Sequence, residues 1–379
     1  MLVKPAKFVL LDSSILGNLA YDYFSKDYSK HHSAKGFVES IGINGVIPFL
    51  CWHQFEELIK HKDDERARNR ISFLKSLPHV AWIKASTDNP LGSIVDLLRA
   101  ECKIILANPD FSVEQVRNAT RESIIQFGSG LGALESYDDT WQALRPELWR
   151  MEEKARKIVA ISRAKVNDIS EEKLSTFLSG KFRDMDSAKV LLNEFRAKMA
   201  KEIEARGDRR ITDPARVADN FYLEIEEELA AVTADNYATP ETLLEQFNVS
   251  LKDFGPDARM KEVMALAEFR SKLKVAHKTF SLSWEKFKSA VSISQTPSWT
   301  VQNALFLHGQ RRNEHKGSEL NDRYLASFSP YCDLTYVDSQ VKEDIRRALS
   351  KSSALPNIMN AVEKVTTIDR IREKLGGDF

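Results

Sequence analysis

The sequence predicts an α/β protein: a parallel sheet flanked by helices and interrupted by a large all-helical insertion. Three observations predict it. Short apolar runs alternate with helical periodicity over the first 85 or so residues, strand-type runs vanish between about residues 90 and 300, and the alternation returns after about residue 320. With 379 residues, 42% of them hydrophobic, the chain can form two or three domains whose cores need no covalent staples.

Taken in order, Lys7 to Leu11 is a buried strand closed by Asp12, and Ser13 and Ser14 stand where they can cap a helix continued by Ile15, Leu16, Leu19 and Ala20. Gly42 and Gly45 punctuate a second strand, Val46 to Leu50. A helix over Trp52 to His61 follows, with Phe55, Leu58 and Ile59 on one face. A third unit ends its helix at Leu77, breaks at Pro78 and makes a short strand at Val80 to Lys84. In the middle of the chain Leu192, Phe195, Met199 and Ile203 recur at spacings of three and four, as do Phe221, Ile225, Leu229 and Val232. Pro214, Pro240 and Pro256 mark connections between such helices. The βα pattern resumes with a helix over Leu320 to Phe328, a strand over Asp333 to Val337, a helix over Val341 to Leu349 and a last strand over Val362 to Ile368. The predicted division is therefore 1–88 and 306–379 as one sheet domain, with 89–305 as the helical insertion.

Composition narrows the function classes. Lys and Arg number 55 and Asp and Glu number 55, so no global charge draws the chain to nucleic acid or an anionic membrane, although a local patch is compatible with it. Cys51, Cys102 and Cys332 are widely spaced without a CxxC pair, which fits a reducing compartment and not a zinc knuckle. FVLL is too short for a signal-peptide core, and no run of about 18 apolar residues offers a membrane span. The expected location is the cytoplasm.

In an open parallel sheet, ligands bind outside the carboxyl ends of the strands, so the polar residues after the apolar runs carry most interest. Asp12 closes FVLLD, Asp338 closes LTYVD, and Glu56 and Glu57 lie on the first turns after VIPFL. Asp322 lies in the helix before the fourth strand and Asp333 opens that strand. Singly, each has an ordinary explanation: Asp12 and Asp322 as helix caps, Glu56 and Glu57 as solvated first-turn charges. As a set in consistent βα context they exceed what capping explains. Carboxylates gathered in one crevice repel unless a divalent cation neutralises them, and all-oxygen ligation suits Mg²⁺ or Mn²⁺.

At these residues the sequence resembles the PIN-domain nucleases. FVLLDSSIL is similar to their first motif, with Asp12 ending the strand and Ser14 the nearby hydroxyl. VIPFLCWHQFEELI is similar to the second, in which the acid precedes a Leu, so the resemblance favours Glu57 and leaves Glu56 auxiliary. NDRYLASFSPYCDLTYVDS resembles the third and fourth together, matching Asp322 and Asp338, with Asp333 as an additional metal ligand. The resemblance covers about residues 7–85 and 318–369. It implies a PIN-like fold and a Mg²⁺- or Mn²⁺-dependent endoribonuclease in which Asp12, Glu57, Asp322 and Asp338 act at the metal. The alternative is a non-catalytic PIN-like module that binds RNA or protein, with the helical insertion as its interaction domain or as the seat of a homo-oligomer.

Other motifs stand beside these. Arg311, Arg312 and Lys316, with Gln310 and His315, and Lys60, with Lys62, Arg66, Arg68 and Arg70, are candidate phosphate contacts, though acids interleave both clusters as on a solvated helix face. Trp52 and Tyr331 are aromatics able to stack on bases, Trp52 being the more expected in the core. His53 reads as a core or surface histidine without a second nitrogen or sulfur ligand nearby, and His31 and His32 diverge on a helix. Gly128-Ser129-Gly130-Leu131-Gly132-Ala133 has the form of a dinucleotide-binding turn after a possible strand at Ser123 to Phe127, but no second βα unit with an acid follows, so it reads as a flexible loop between helices. Asn248-Val249-Ser250 is a formal glycosylation sequon without meaning in the cytoplasm.

Overall fold

The computed structural model describes residues 6–85, 91–135, 140–164, 171–179, 185–233, 244–245, 248–310, 318–364 and 367–376. These fall into two compact units. The first comprises residues 1–149, 276–310 and 321–379, and the second comprises 150–275 and 311–320.

The first unit is built on six strands: β1 (Lys7–Leu11), β2 (Val46–Leu50), β3 (Val80–Ile83), β4 (Ile125–Gly128), β5 (Leu334–Val337) and β6 (Ala361–Lys364). They lie in the order β4-β3-β2-β1-β5-β6, all pairings being parallel except β3 with β4. β1, β2 and β5 are nearly continuous apolar runs because both faces of the sheet are covered. Val9, Leu11, Val46, Leu50, Val80, Leu334 and Tyr336 face one core, which also takes in α1 (Ser13–Tyr23), α2 (Tyr28–Ile43), α3 (Trp52–Ile59) and α4 (Asp64–Ser76). Val337 belongs to a different core, with α14 (Pro297–His308) and α16 (Ser339–Lys351). The β2–β3 pairing begins at Phe49, one residue after Pro48, which carries no N–H.

Both chain ends share one sheet, as the periodicity predicts. The division at 88/89 and 305/306 is corrected. Helices α5 (Ile94–Ala107), α6 (Val113–Ile124) and α7 (Gly130–Leu134) and strand β4 belong to the sheet unit, which runs to Trp149. Gly92 N–H donates to Ile83 O at 2.8 Å and Trp52 N–H to Gly92 O at 3.0 Å, so the chain is stitched to β3 and α3 just where the insertion was expected to begin. The expectation of almost pure helix from 90 to 300 fails at β4, whose IQFG is too short and half-exposed to give a period-2 signal. The Gly-rich loop is likewise corrected: it is a strand end and a short helix capped by Ser129, whose hydroxyl accepts from Gly132 N–H at 3.1 Å. Gly130 serves packing there, since a Cβ on it would lie 1.8 Å from Leu74 O. The last strand spans Ala361–Lys364, not Val362 to Ile368, and Ile368 opens α18 (Ile368–Gly376).

The second unit is built of helices: α8 (Trp141–Arg163) from Arg150 onward, α9 (Leu174–Ser179), α10 (Met185–Arg206), α11 (Pro214–Thr233) and α12 (Met260–His277) up to Val275. Met199, Ile203, Val217, Ala218 and Tyr222 close one core, and Leu174, Leu244, Val249, Met260 and Val263 another. No described helix is long and apolar enough to cross a membrane.

Candidate functional site

From β1 the chain passes to β2 on one side, and from β5 it passes to β6 on the other, so β1 and β5 flank the point where the strand order reverses. The crevice outside the carboxyl ends of such a pair is where open α/β sheets take ligands. Asp12 and Asp338 are the first residues beyond those two ends. Leu11 is in register with Tyr336, and Asp12 N–H closes the ladder on Tyr336 O at 3.1 Å.

Both acids are also helix caps. Asp12 Oδ1 accepts from Ser14 N–H at 2.7 Å at the start of α1, and Asp338 Oδ1 accepts from Val341 N–H at 2.7 Å at the start of α16. Capping occupies one oxygen of each carboxylate, and a carboxylate has about four lone-pair sites. Neither acid forms an ion pair among the described residues.

Glu57 reaches the same edge from α3. This helix is anchored by Gln54, whose side chain accepts from Cys51 N–H at 2.9 Å and donates to Leu11 O at 2.6 Å. The last carbonyl of β1 thereby fixes the helix that carries Glu57. Glu57 Oε1 accepts from Asn321 Nδ2 at 3.2 Å, which ties it to α15 (Glu319–Ser327). Burial pushes its carboxyl above the usual range, Ser13, Lys60 and Asn321 pull it back, and the charge of Asp12 pushes it up again. Glu57 and Asp12 therefore feel each other. Glu56, one residue earlier, is buried and paired with Lys60 Nζ at 3.2 Å.

Asp322, also on α15, lines a small hollow together with Asp12, floored by Leu10, Leu325, Tyr336, Val337 and Val341. The structure thus places Asp12 and Asp322 in one hollow, ties Glu57 to Asn321 beside Asp322, and ends the adjacent strand in Asp338. Among the described residues no three His, Cys, Asp or Glu side chains are grouped as a metal cage. The donors are nevertheless of one chemical kind. Carboxylate oxygens suit Mg²⁺ or Mn²⁺, and nearby Cys51 offers no soft ligand, since burial pushes its thiol up to about 12.

Several predicted site residues lie elsewhere or act otherwise. Asp333 is at the opposite end of β5, ~16 Å of strand from Asp338. There its Oδ2 accepts from Phe8 N–H at 2.7 Å and pairs with Arg121 at 2.8 Å, so it is removed from the metal set. Its place beside the fourth strand was legible, but which end it occupies depends on where the strand begins. Ser14 gives Asp12 a backbone N–H and exposes its side chain, whereas Ser13 is the hydroxyl beside Glu57. Lys60 is withdrawn as a phosphate contact, because its side chain is only 11% exposed and neutralises Glu56. Arg311, Arg312 and Lys316 lie outside the described residues. Tyr331 is fully buried and cannot stack on a base, since its hydroxyl donates to Glu101. His53 is a core histidine, its Nε2 accepting from Ile94 N–H at 3.1 Å and its ring 4.9 Å from that of Tyr324.

Gln54 and Asn321 are the positioning residues that sequence reasoning missed. Gln54 carried a signal, since Gln at the third helical position is half of a capping box, but Cys51 in place of Ser or Thr hid it. Asn321 carried none beyond its place next to Asp322. No protein-family model, curated protein or solved structure matches the chain.

Proposed function

We propose that the protein is a metal-dependent endoribonuclease with a PIN-like catalytic unit, acting through Asp12, Glu57, Asp322 and Asp338. The observation that carries this reading is that Asp12 and Asp322 line one hollow at the reversal point of a parallel sheet, with Glu57 coupled to Asp12 and Asp338 closing the neighbouring strand. These four residues would hold Mg²⁺ or Mn²⁺. When bound, the cation supplies an activated water and neutralises charge on the phosphoryl oxygens. The chain supplies position: the caps orient Asp12 and Asp338, Gln54 sets α3, and Asn321 holds one oxygen of Glu57 so that the other is presented. Burial around Glu57 strengthens its electrostatic interactions with whatever enters. RNA is the proposed substrate, and the three buried free cysteines favour a reducing compartment such as the cytoplasm.

A non-catalytic RNA- or protein-binding module is favoured by one observation, that Asp12 and Asp338 each give an oxygen to a helix cap. Cleavage of a mixed-sequence RNA in Mn²⁺, with EDTA and Asp12→Asn as controls, separates the two. Metal-independent cleavage, or full activity in the variant, would remove the proposed mechanism, and binding without cleavage would select the module.

A further inference from the structure

The helical unit holds a cavity of about 300 Å³ with no counterpart in the chemistry proposed above. Its walls come from α8, from the turn of residues 210–213 and from the first turns of α11. The turn is rigidly built. Arg210 forms a two-pronged pair with the buried Asp208, Nε to Oδ1 at 2.9 Å and Nη2 to Oδ2 at 2.7 Å, and a further bond to Glu152 Oε1 at 2.9 Å. Asp213 caps α11 by accepting from Arg216 N–H at 2.9 Å, while Val217 anchors the helix in the apolar core beneath.

Charge identifies the ligand. Four cations, Arg156, Lys157, Arg210 and Arg216, line the cavity against two acids, Glu153 and Asp213. Lys157 is matched by Glu153 at 2.8 Å, and Arg210 by Asp208 and Glu152. Arg216 meets Asp213 only at 3.8 Å, with its side chain 72% exposed. Arg156 forms no ion pair among the described residues, and its Nε–H is shielded from solvent with no acceptor among them. Arg156 and Arg216 thus line the cavity with no ion pair closer than 3.8 Å between them and any described acid, and two guanidinium groups so placed are the arrangement an oxyanion completes. The rest of the wall is polar, with Asn220 and Thr212 able to bond hydroxyls, and no aromatic ring lines it for a base to stack on. The volume lies at the small end of ligand pockets and suits a single small molecule better than a strand.

We propose that this cavity binds a compact phosphorylated sugar, its phosphate on Arg156 and Arg216 and its hydroxyls on Asn220 and the Glu153 carboxylate. The test is calorimetry on the full chain with ribose 5-phosphate, inorganic phosphate and ribose as separate titrants. Ribose 5-phosphate should bind more tightly than inorganic phosphate, with no heat from ribose. Arg156→Gln should weaken its binding roughly tenfold or more, the loss of one charge-assisted hydrogen bond. Should Arg156→Gln melt early, Arg216→Gln, at an exposed position, must give a weakening of its own. Asp12→Asn should bind like the unaltered chain, which separates this site from the catalytic reading. No binding of ribose 5-phosphate, equal affinity for inorganic phosphate, unchanged affinity in both arginine variants, or Arg156-dependent binding of an RNA oligonucleotide alone would each overturn the proposal.

Discussion

Asp333 and Asp338 flank the same strand and meet opposite fates. At the amino end Asp333 is neutralised: Arg121 pairs with it, the Phe8 N–H donates to it, and the Arg121 guanidinium lies 4.9 Å from the Phe8 ring centre. Nearby on that side, Glu101 is fully buried and accepts from Ser298 N–H at 2.8 Å, from the Ser298 hydroxyl at 2.6 Å and from the Tyr331 hydroxyl. These acids are consumed by structure. At the carboxyl end, Asp12 and Asp338 each keep one oxygen on a helix N-terminus, and Glu57 is held by Asn321 and eased by Ser13 and Lys60 while the charge of Asp12 opposes it. Of these, Asp12 and Glu57 bear like charge that each disfavours in the other, and a cation between them would relieve it.

The largest test of that contrast is catalytic. Asp12→Asn should lower Mn²⁺-dependent RNA cleavage by roughly 10²-fold or more, as should Asp338→Asn. Both should fold, because Asn caps a helix as well as Asp does. Without metal the Asp12 variant should melt at an unchanged or slightly higher temperature, since its charge disfavours that of Glu57. Full activity in both variants would make the two ends of β5 equivalent.

Metal linkage gives the next largest effect. Mn²⁺ at a hundred times its dissociation constant should stabilise the unaltered chain by about 2.7 kcal/mol, and Asp12→Asn should lose most of that gain in thermal melts. An equal gain in both would place the ion elsewhere.

The buried acid at the other end makes a pH prediction. Burial raises Glu101 from its ordinary 4.5 to about 7, overcoming the hydrogen bonds that pull it down. Between these values the unfolded chain has released the proton that the folded chain keeps, so this group's contribution falls as pH rises from 4.5 to 7 and is level outside that window. The loss is on the order of 2–3 kcal/mol. Denaturant titrations at pH 5 and 7.5 should show that component in the unaltered chain and not in Glu101→Gln, whatever constant penalty the amide imposes. A parallel pH profile in the variant would assign the titration to other groups.

The smallest effect belongs to Asp333→Asn. It should leave cleavage unchanged and lower stability by about 1 kcal/mol or less, because the pair with Arg121 is about a third exposed and the amide oxygen can still accept from Phe8. A large fall in cleavage would restore Asp333 to the active set.

Legibility followed the same divide. Lys7–Leu11 and Val46–Leu50 were readable to the residue because strands covered on both faces become unbroken apolar runs ended by a polar residue. β4 showed only as a possible strand at Ser123 to Phe127 that the helical periodicity around it outweighed, since an edge strand with exposed Gln126 and Phe127 needs little apolar sequence and takes its order from β3. The choice between Glu56 and Glu57 depended on a resemblance, and the packed helix shows why they differ: adjacent residues point about 100° apart, one toward Lys60 and one toward Asp12.

By itself the sequence determined the α/β class, the strands nearest the centre of the sheet and the acids that close them, because hydrophobic periodicity and capping act over a few residues. Only the tertiary structure decided that residues 89–149 join the sheet unit, that Asp333 faces the wrong edge, and that Gln54 and Asn321 hold the site together. Those outcomes rest on partners 43 to 325 positions away, such as Leu11 for Gln54 and Phe8 for Asp333, and no local pattern encodes which distant partner a side chain will meet.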